Sequence, residues 1–480
     1  MKRVRGIPWS GAALTLLLGA CSLAPPLKTP DIPTADAYKE IGPWTQAQPA
    51  DRLPRDSWWT LYDVAELDQL QQKLIVGSPT LAAALANYAQ ARAIADQARA
   101  GLFPTLGLGA SVERDRESLH APLRGPTTPT YYNANTLGGS VSYELDLWGQ
   151  IRNEVAAGEA NAAASAADLE NARLSLIAQL VDDYIQLRSL DRDSAILDET
   201  VVAYTRALSL TGQRHDAGIA PGLDVSQAQT QFNAARSQAA QTLAQRALME
   251  HAIAALLGVS ASTFSIKPQI VAIKLPQIPT GVPTTLLERR PDIAGAQRRM
   301  IAANANIGVA RAAYFPALTL GAQGGFQSTA LLNWLSAPSA FWAIGPSALL
   351  SVFDGGLRRA QVAQARAEFD ASAANYRSTV VTAFQQVEDS LATLNHYHDA
   401  ALDEKAAVDA AQRTLNLSMA LYKQGAIDYL TVVTSQTAVL QTQQEALNLD
   451  TLQLRASIDL IRALGGGWED SAHAMSRPPT

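Results

Sequence analysis

Histidines and acidic residues are the side chains of this sequence best suited to acid–base or metal chemistry. The six histidines are scattered along the chain. His396 and His398 are two residues apart, which on a helix turns their imidazoles about 200° from each other, so they cannot share one metal ion. Glu250 and His251 are adjacent on a predicted helix, and we expect both at its surface because no nucleophile pattern accompanies them. The sequence contains no nucleophile elbow, phosphate-binding loop or zinc-protease motif, which argues against an enzyme and against a resident metal.

Cys21 is the single cysteine, and its surroundings favour one covalent reaction. It follows a basic N terminus, a short apolar run at 12–18 and two small residues. The run is too short to span a bilayer and predicts a signal peptide over residues 1–20. The stretch that ends in Cys21 resembles a bacterial lipobox, which implies a covalent lipid on its thiol and no other cofactor. The following Ser22, by resemblance to lipoprotein sorting rules, favours the outer membrane. The alternative is an ordinary signal peptide followed by a buried cysteine.

Composition limits the class of protein. Of the 480 residues, 48% are hydrophobic, but only 6% are aromatic and 17% are charged. Together with recurrent runs of alanine, these proportions are typical of long, closely packed helices rather than of a large enzyme core. The formal net charge is −6 and there are no basic blocks, so nucleic acid is excluded as a partner.

The chain contains an internal repeat. The stretch Ala98–Leu106 recurs as Ala310–Leu318 at an offset of 212 residues, and both copies contain Phe-Pro. Gly149–Arg152 resembles Gly355–Arg358 at an offset of 206. Several matches in the same order are unlikely to arise by chance and indicate a tandem duplication.

Each repeat is built around one very long helical pattern. From Leu357 to Gln424 neither glycine nor proline occurs, and apolar residues recur every three or four positions. This pattern predicts a helix about 100 Å long. The first repeat has the same apolar spacing, without proline, from Asn153 to Ala217. Gly218 and Gly425 follow these patterns at the C′ position, where glycine commonly ends a helix. Shorter helices are predicted on either side, opening at Pro79 and Pro291 and returning over Leu223–Leu257 and Leu430–Leu464.

Two alternating stretches separate the opening helix from the long helix in each repeat. In the first repeat, at about 104–148, apolar residues such as Leu106 alternate with glycine, serine and threonine. The second repeat has the same pattern at about 316–354, although its return strand, Phe341–Phe353, contains Pro346 and is less regular. Such alternation predicts strands with one lipid-facing and one water-facing side. The alternative is a small soluble hairpin.

Four strands are too few to close a membrane barrel, which needs about eight. We therefore expect strands from several copies to combine: two copies would give eight strands with a filled interior, and three would give twelve with an open lumen. A long coiled-coil bundle would suit the helices equally well but would leave the strands without a role.

The sequence resembles the TolC-like outer-membrane factors of tripartite efflux pumps, on the lipoprotein branch often called NodT or OprM-like. The resemblance covers nearly the whole mature chain and is most specific in Leu286–Ile293 (LLERRPDI), in Phe353–Gly356 (FDGG) and in Leu464–Trp468 (LGGGW). It implies a mainly α fold with a membrane β-barrel contribution. Tandem-duplicated long helical hairpins would form a trimeric α-barrel, and four strands per chain would contribute to a twelve-stranded outer-membrane barrel.

The resemblance also implies how the chain is divided. The expected segments are a signal peptide at 1–20, a lipid-anchored tether and equatorial segment at 21–77, the first repeat at 78–258, an equatorial linker at 259–289, the second repeat at 290–466 and a C-terminal tail at 467–480.

The implied function is a passive exit duct of a tripartite efflux system. A homotrimer would be anchored by lipid in the Gram-negative outer membrane and extend into the periplasm. It would receive substrates from an inner-membrane transporter, expected to be proton-driven, through a periplasmic adaptor protein. The alternatives are an exit duct for type I protein secretion and a structural periplasm-spanning lipoprotein that does not conduct.

The resemblance places a gate at the second repeat's turn. Leu430 falls where relatives narrow the lumen with an apolar ring, and Thr434 falls where close relatives often have an aspartate. Asp428 and Asp224 are candidates to supply charge near this level instead, although turn and capping chemistry is the simpler role for both. The turns at Gly218 and Gly425 are the expected docking points for the adaptor.

Overall fold

A computed structural model describes residues 22–31, 38–40, 57–120, 122, 125–278 and 290–466 of the chain. The helices are α1 (Ala65–Gly77), α2 (Pro79–Ala100), α3 (Gln150–Asp216), α4 (Gly222–Leu256), α5 (Pro291–Ala312), α6 (Leu357–Lys423) and α7 (Tyr429–Ala463). The strands are β1 (Thr105–Arg116), β2 (Tyr131–Glu144), β3 (Ala317–Ser328) and β4 (Ala340–Leu349). Helices therefore dominate, as the composition predicts.

The two repeats have helices of identical length. The opening helices α2 and α5 have 22 residues each, the long helices α3 and α6 have 67, and the returning helices α4 and α7 have 35. These bounds lie within about three residues of those expected from glycine, proline and the apolar spacing. The predicted tandem arrangement of helices is confirmed.

The four strands form one antiparallel sheet in the order β1-β2-β3-β4. The pairing of Leu106 with Val141, of Val141 with Ala322 and of Ala322 with Ile344 places apolar residues of all four strands on one face. The opposite face carries glycine and small polar residues such as Ser140. The predicted period-2 alternation is confirmed. The pairing register of the four strands keeps their apolar side chains on one face across both repeats, since a slip of one residue would move a strand's apolar side chains to the other face.

The return strand of the second repeat is shorter than expected. It ends at Leu349 rather than Phe353, because the chain beyond it turns to meet the start of α6: Arg358 donates hydrogen bonds to the Ser351 carbonyl and to the Asp354 carboxylate. Pro346 lies within β4, opposite Leu320 of β3. In the described sheet β4 is an edge strand, which is where a sheet tolerates proline.

The chain divides into two compact units. The first contains 88–165 and 296–376 with the N-terminal residues to 30, and includes the sheet. In it, Ala157 and Ala160 of α3 pack on Ala302 and Ala305 of α5, and such small side chains allow two helices to approach closely. The second unit contains 31–87, 166–295 and 377–480 and holds the larger core. In the described part of the chain, no helix is both long enough and apolar enough to cross a membrane.

Within the second unit, a buried ion network fixes α1 and the chain after α4 to the long helix α3. Arg188 of α3 donates from Nη1 to Asp191 over 2.6 Å and to the Lys267 carbonyl over 2.9 Å, and its Nη2 pairs with Glu66 of α1. Asp191 also accepts from Arg246 Nε of α4 over 2.6 Å. Charges removed from water require such complete pairing, so these contacts position the elements that carry them.

Candidate functional site: the turns after the long helices

Both long helices end with a glycine in the left-handed conformation: φ is +71° at Gly218 and +76° at Gly425. In the first turn the Gly218 N–H donates to the His215 carbonyl, and the next N–H donates to the Arg214 carbonyl, each over 2.8 Å. The second turn has the same pair of bonds at the equivalent positions. These main-chain bonds close the helix ends, and a positive φ favours glycine. The predicted C′ position of both glycines is confirmed.

Tyr422, in the last turn of α6, contacts residues of the first repeat. Its hydroxyl donates a hydrogen bond to the Asp224 carboxylate over 3.2 Å, and the Arg214 guanidinium carbon lies 4.9 Å from the centre of its ring. Arg214 also donates from Nη1 to the Lys423 carbonyl over 3.3 Å. Burial, together with the Asp224 charge, raises the pKa of Tyr422, which keeps the hydroxyl protonated as a donor. These contacts join the two turns of one chain.

Tyr429 begins α7 next to Tyr422, with the ring centres 5.2 Å apart. Both rings belong to an apolar cluster that also contains Ala207, Ala228 and Val432. Tyr429 is 1% exposed, and burial raises its pKa to about 12. Among the described residues its hydroxyl has no hydrogen-bond partner, and neither has that of the buried Tyr204 on α3. The neighbouring tyrosines 422 and 429 therefore differ: only Tyr422 uses its hydroxyl to join two helices.

Asp428 is the N-cap of α7. Its carboxylate accepts hydrogen bonds from the Thr431 N–H over 3.0 Å and from the Thr431 hydroxyl over 2.6 Å. These two bonds lower the pKa of Asp428 below its ordinary value. Asp224 lies in the first turn of α4, where its carboxylate accepts from Tyr422 instead. The capping alternative therefore describes the Asp428 side chain, whereas the Asp224 side chain links two helices.

Leu430 and Thr434 lie one helical turn apart on α7. Leu430 is 53% exposed, and Leu223, its counterpart in the first repeat at an offset of 207, is 64% exposed. The Thr434 hydroxyl donates to the Leu430 carbonyl over 2.9 Å. An exposed leucine is thus present after each turn, and the threonine satisfies its hydroxyl within its own helix. This part of α7 offers apolar surface without a fixed charge at position 434.

The residues Arg214, Asp224, Tyr422, Asp428, Tyr429, Leu430 and Thr434 are together called the turn cluster. Sequence reasoning named four of them but missed the roles of Arg214, Tyr422 and Tyr429. One signal was available: at an offset of 207, Tyr422 corresponds to His215, so each repeat has a ring three residues before its turn glycine. The contact of Tyr422 with Asp224 could not be inferred from that pattern.

The turn cluster joins helices and contains no arrangement for covalent catalysis. Within the described ranges, no group of three His, Cys, Asp or Glu side chains is placed to hold a metal ion. Of the pair expected at the surface, His251 is exposed, whereas the Glu250 side chain is 14% exposed and accepts from Arg246 over 2.6 Å. Cys21 and the motif Leu286–Arg289 lie outside the described residues. The turn cluster can therefore act mechanically: its contacts hold the two turns together, and breaking them releases the turns.

Comparison with known proteins places both repeats in one family. The profile described as "Outer membrane efflux protein" matches residues 70–259 and 282–466, which is more than half of the chain. The probable efflux pump outer membrane protein TtgC of Pseudomonas putida is 31% identical over 460 residues, covering 95% of each chain. The outer membrane protein OprJ of Pseudomonas aeruginosa is 31% identical over 469 residues, covering 96% of each.

A solved structure agrees with these matches. The outer-membrane channel OprN superimposes with a TM-score of 0.86 at 29% identity, covering 94% of this chain and 100% of that one. The similarity therefore includes the sheet and both helical repeats.

Proposed function

The chain belongs to the outer membrane efflux protein family, and from this premise we propose how it works as the outer-membrane exit duct of an efflux system. Three copies assemble into a homotrimer. Their twelve strands close a barrel in the outer membrane, and their long helices form a trimeric α-barrel that extends into the periplasm. The observation that carries this proposal is the match of one family profile to both repeats.

The edges of the sheet support assembly with other copies. In the described sheet, β1 and β4 each pair with one strand only, which leaves a row of main-chain groups unpaired along each edge. Lipid offers such groups no hydrogen bonds, so pairing β1 of one chain with β4 of the next satisfies both edges. Leu108 is 84% exposed and Trp342 is 80% exposed on the apolar face, as expected for residues that contact lipid.

The partners follow from the position of a duct in a pump. A periplasmic adaptor contacts the turns at Gly218 and Gly425, and an inner-membrane transporter driven by protons supplies the energy. Relatives are named for toluene, antibiotic and pyoverdine export, and we assign small organic compounds as the class of cargo. The duct itself conducts passively.

The turn cluster acts as the gate. The apolar Leu430 side chains of three chains would meet near the symmetry axis and exclude water and ions. Thr434, Asp428 and Asp224 surround this level, and the contact of Tyr422 with Asp224 favours the closed arrangement of the turns. Opening then requires that contact to break.

A covalent lipid on Cys21 anchors the mature chain. Several acyl chains give stable attachment where a single chain gives only marginal binding. Mass spectrometry of the mature protein should find an acylated Cys21 at its N terminus, and Cys21→Ala should leave an unprocessed or unlipidated precursor. Unmodified Cys21 in mature wild-type protein would refute the anchor.

Three measurements test the duct itself. Protein extracted in mild detergent should have the mass of about three chains, because a four-stranded sheet cannot close alone. The same material in planar bilayers should form conducting channels, and deletion of the gene should sensitise cells to small organic compounds. A stable monomer inserted in the membrane would contradict the trimer, and trimers that never conduct would contradict the duct.

A further inference from the structure

The residues directly after Cys21 are bound by side chains of the helix α5. Asn304 donates from Nδ2 to the Pro25 carbonyl over 2.9 Å, and Arg311 donates from Nη1 to the Leu23 carbonyl over 3.0 Å. Both bonds are made to main-chain oxygens, so they hold the path of the backbone rather than particular side chains. Asn304 is 9% exposed, so this donor is largely shielded from solvent.

The helix α3 forms the other side of this groove. Ser22 donates from its hydroxyl to the Asn153 side-chain oxygen over 2.9 Å, and Asn153 is 5% exposed. Gly308 of α5 faces the same space: a Cβ atom there would lie 2.8 Å from the Ala24 nitrogen and 2.5 Å from the Asn153 amide nitrogen. A contact of 2.8 Å with a main-chain atom cannot be relieved by rotating a side chain. The absence of a side chain at position 308 is therefore what admits the segment.

The first repeat lacks the features that form this groove. At the offset of 212, Asn304 corresponds to Arg92 and Gly308 corresponds to Asp96. Asp96 instead forms an exposed ion pair with Arg99 over 3.2 Å. A trimer would contain six related opening helices, but only the three second-repeat helices have the glycine and the asparagine. The sequence thus distinguishes one opening helix from its duplicate.

The groove lies close to the strands along the chain. Arg311 is in the last turn of α5, which ends at Ala312, and β3 begins at Ala317. Leu23, bonded to Arg311, is two residues from Cys21, a distance of at most about 7 Å for an extended chain. Holding Leu23 at Arg311 therefore limits how far the chain before Leu23 can reach from the end of α5.

We propose that the groove between α3 and α5 is a docking site for the chain's own segment Ser22–Pro25, and that it sets where the lipid-bearing N terminus enters the membrane. The docking does not depend on the lipid, whereas the placement of acyl chains rests on the lipid anchor proposed above. Gly308 and Asn304 are positioning residues for this segment. The first repeat has Asp96 and Arg92 at the equivalent positions, so it offers neither the glycine nor the asparagine.

Limited trypsin digestion of the mature trimer in mild detergent tests the proposal. Lys28, three residues beyond the docked segment, is exposed, and cleavage there releases a peptide that contains residues 21–28. Gly308→Ala and Asn304→Ala should each release it at least about fivefold faster than wild type. A protease must bind several residues before the cleaved bond in extended form, so cleavage after Lys28 follows the population in which the segment has left the groove. Gly308→Ala improves helix propensity, so faster release would not reflect a weakened α5. Asp96→Ala, at the equivalent position of the first repeat, is the matched control and should leave the rate unchanged.

The outcomes separate docking from the anchor. Wild-type rates in both groove variants, or an equal increase in Asp96→Ala, would overturn the docking site. The mass of the released peptide reports lipid on Cys21 independently of its rate of release. A fast-released peptide without lipid would therefore support the groove and contradict only the placement of acyl chains.

Discussion

The Tyr422 hydroxyl of α6 donates to the Asp224 carboxylate of α4, so one hydrogen bond joins the second repeat to the first at their turns. The tyrosine is buried, whereas Leu430, two residues beyond the N-cap of the next helix, is exposed. The group that holds the turns is thus distinct from the group proposed to narrow the duct. Variants can therefore test them separately.

Tyr422→Phe removes the bond to Asp224 but keeps the ring and its packing. We expect the closed turns to lose about 1 kcal/mol per chain, equivalent to about a fivefold larger open population of each turn. Resting conductance in planar bilayers should rise, with the yield of trimer unchanged. Tyr429→Phe is the matched control, since its hydroxyl has no partner among the described residues, and it should not raise conductance. Equal increases in both variants would show that packing, not the hydrogen bond, holds the turns.

Leu430→Ser should raise resting conductance and sensitise cells to large antibiotics. A hydroxyl in place of an apolar side chain allows water into a narrow ring, which is then no longer a hydrophobic barrier. Leu402→Ser is a suitable control, because Leu402 is 60% exposed on α6 but lies 28 residues before position 430. If Leu430→Ser channels conduct no better than wild type, the constriction lies at the level of Asp224 or Asp428 instead.

Thr434→Asp should make the channel sensitive to block by divalent cations from the periplasmic side. Three carboxylates at one level of a trimer attract a divalent ion, whereas the native threonine is uncharged and bonds within its own helix. The measurement is single-channel current at increasing concentrations of Mg²⁺. Thr434→Asn has the same shape without the charge and should show no added block. Block by both variants would assign the effect to side-chain size.

Asp183 of α3 should make the protein less stable as the pH rises from about 4 to 6. Burial raises the pKa of Asp183 to about 6, although Gln179 donates to its carboxylate over 2.7 Å. The unfolded chain loses this proton near pH 4, but the folded chain keeps it to about pH 6. The proton therefore adds to the free energy of unfolding at low pH, and this contribution is lost as the pH rises from about 4 to 6. Asp183→Asn should therefore raise the unfolding temperature by a few degrees at pH 7.5 and have little effect at pH 4.

The neighbouring Asp182 provides the control for this pH effect. Its carboxylate pairs with Arg455 Nε over 2.6 Å, so Asp182→Asn should lower rather than raise the unfolding temperature at pH 7.5. If Asp183→Asn lowers stability at pH 7.5, the folded protein favours the charged carboxylate and the direction assigned to its pKa is wrong.

Features with a local signal were predictable from the sequence. Gly218 and Gly425 mark helix ends because positive φ excludes most other residues, and the alternation around Leu106 indicates a strand because side chains point to opposite faces. The strand β4 was the exception, since its end depends on Arg358 of the following helix. Because the two repeats are related by a nearly constant offset, each local prediction in one repeat also applied to the equivalent residues of the other.

Contacts between distant residues were not predictable. Tyr422 and Asp224 are 198 residues apart, and Ser22 and Asn153 are 131 apart. Nothing in the spacing of either pair distinguishes it from many other polar residues, because the partner is chosen by how the helices pack. The same applies to Glu66, which pairs with Arg188 across 122 residues.

The main-chain closure of the two turns has an evolutionary consequence. Since the helix ends are held by backbone hydrogen bonds and one glycine each, the exposed neighbours Ile219 and Ala426 contribute little to the fold. Mutations at these positions leave the ends of α3 and α6 intact while altering the surface that we propose the adaptor contacts. Substitutions that accumulate at these positions can therefore change which pump the duct binds without changing its fold. Divergent lineages are expected to differ most at these two side chains.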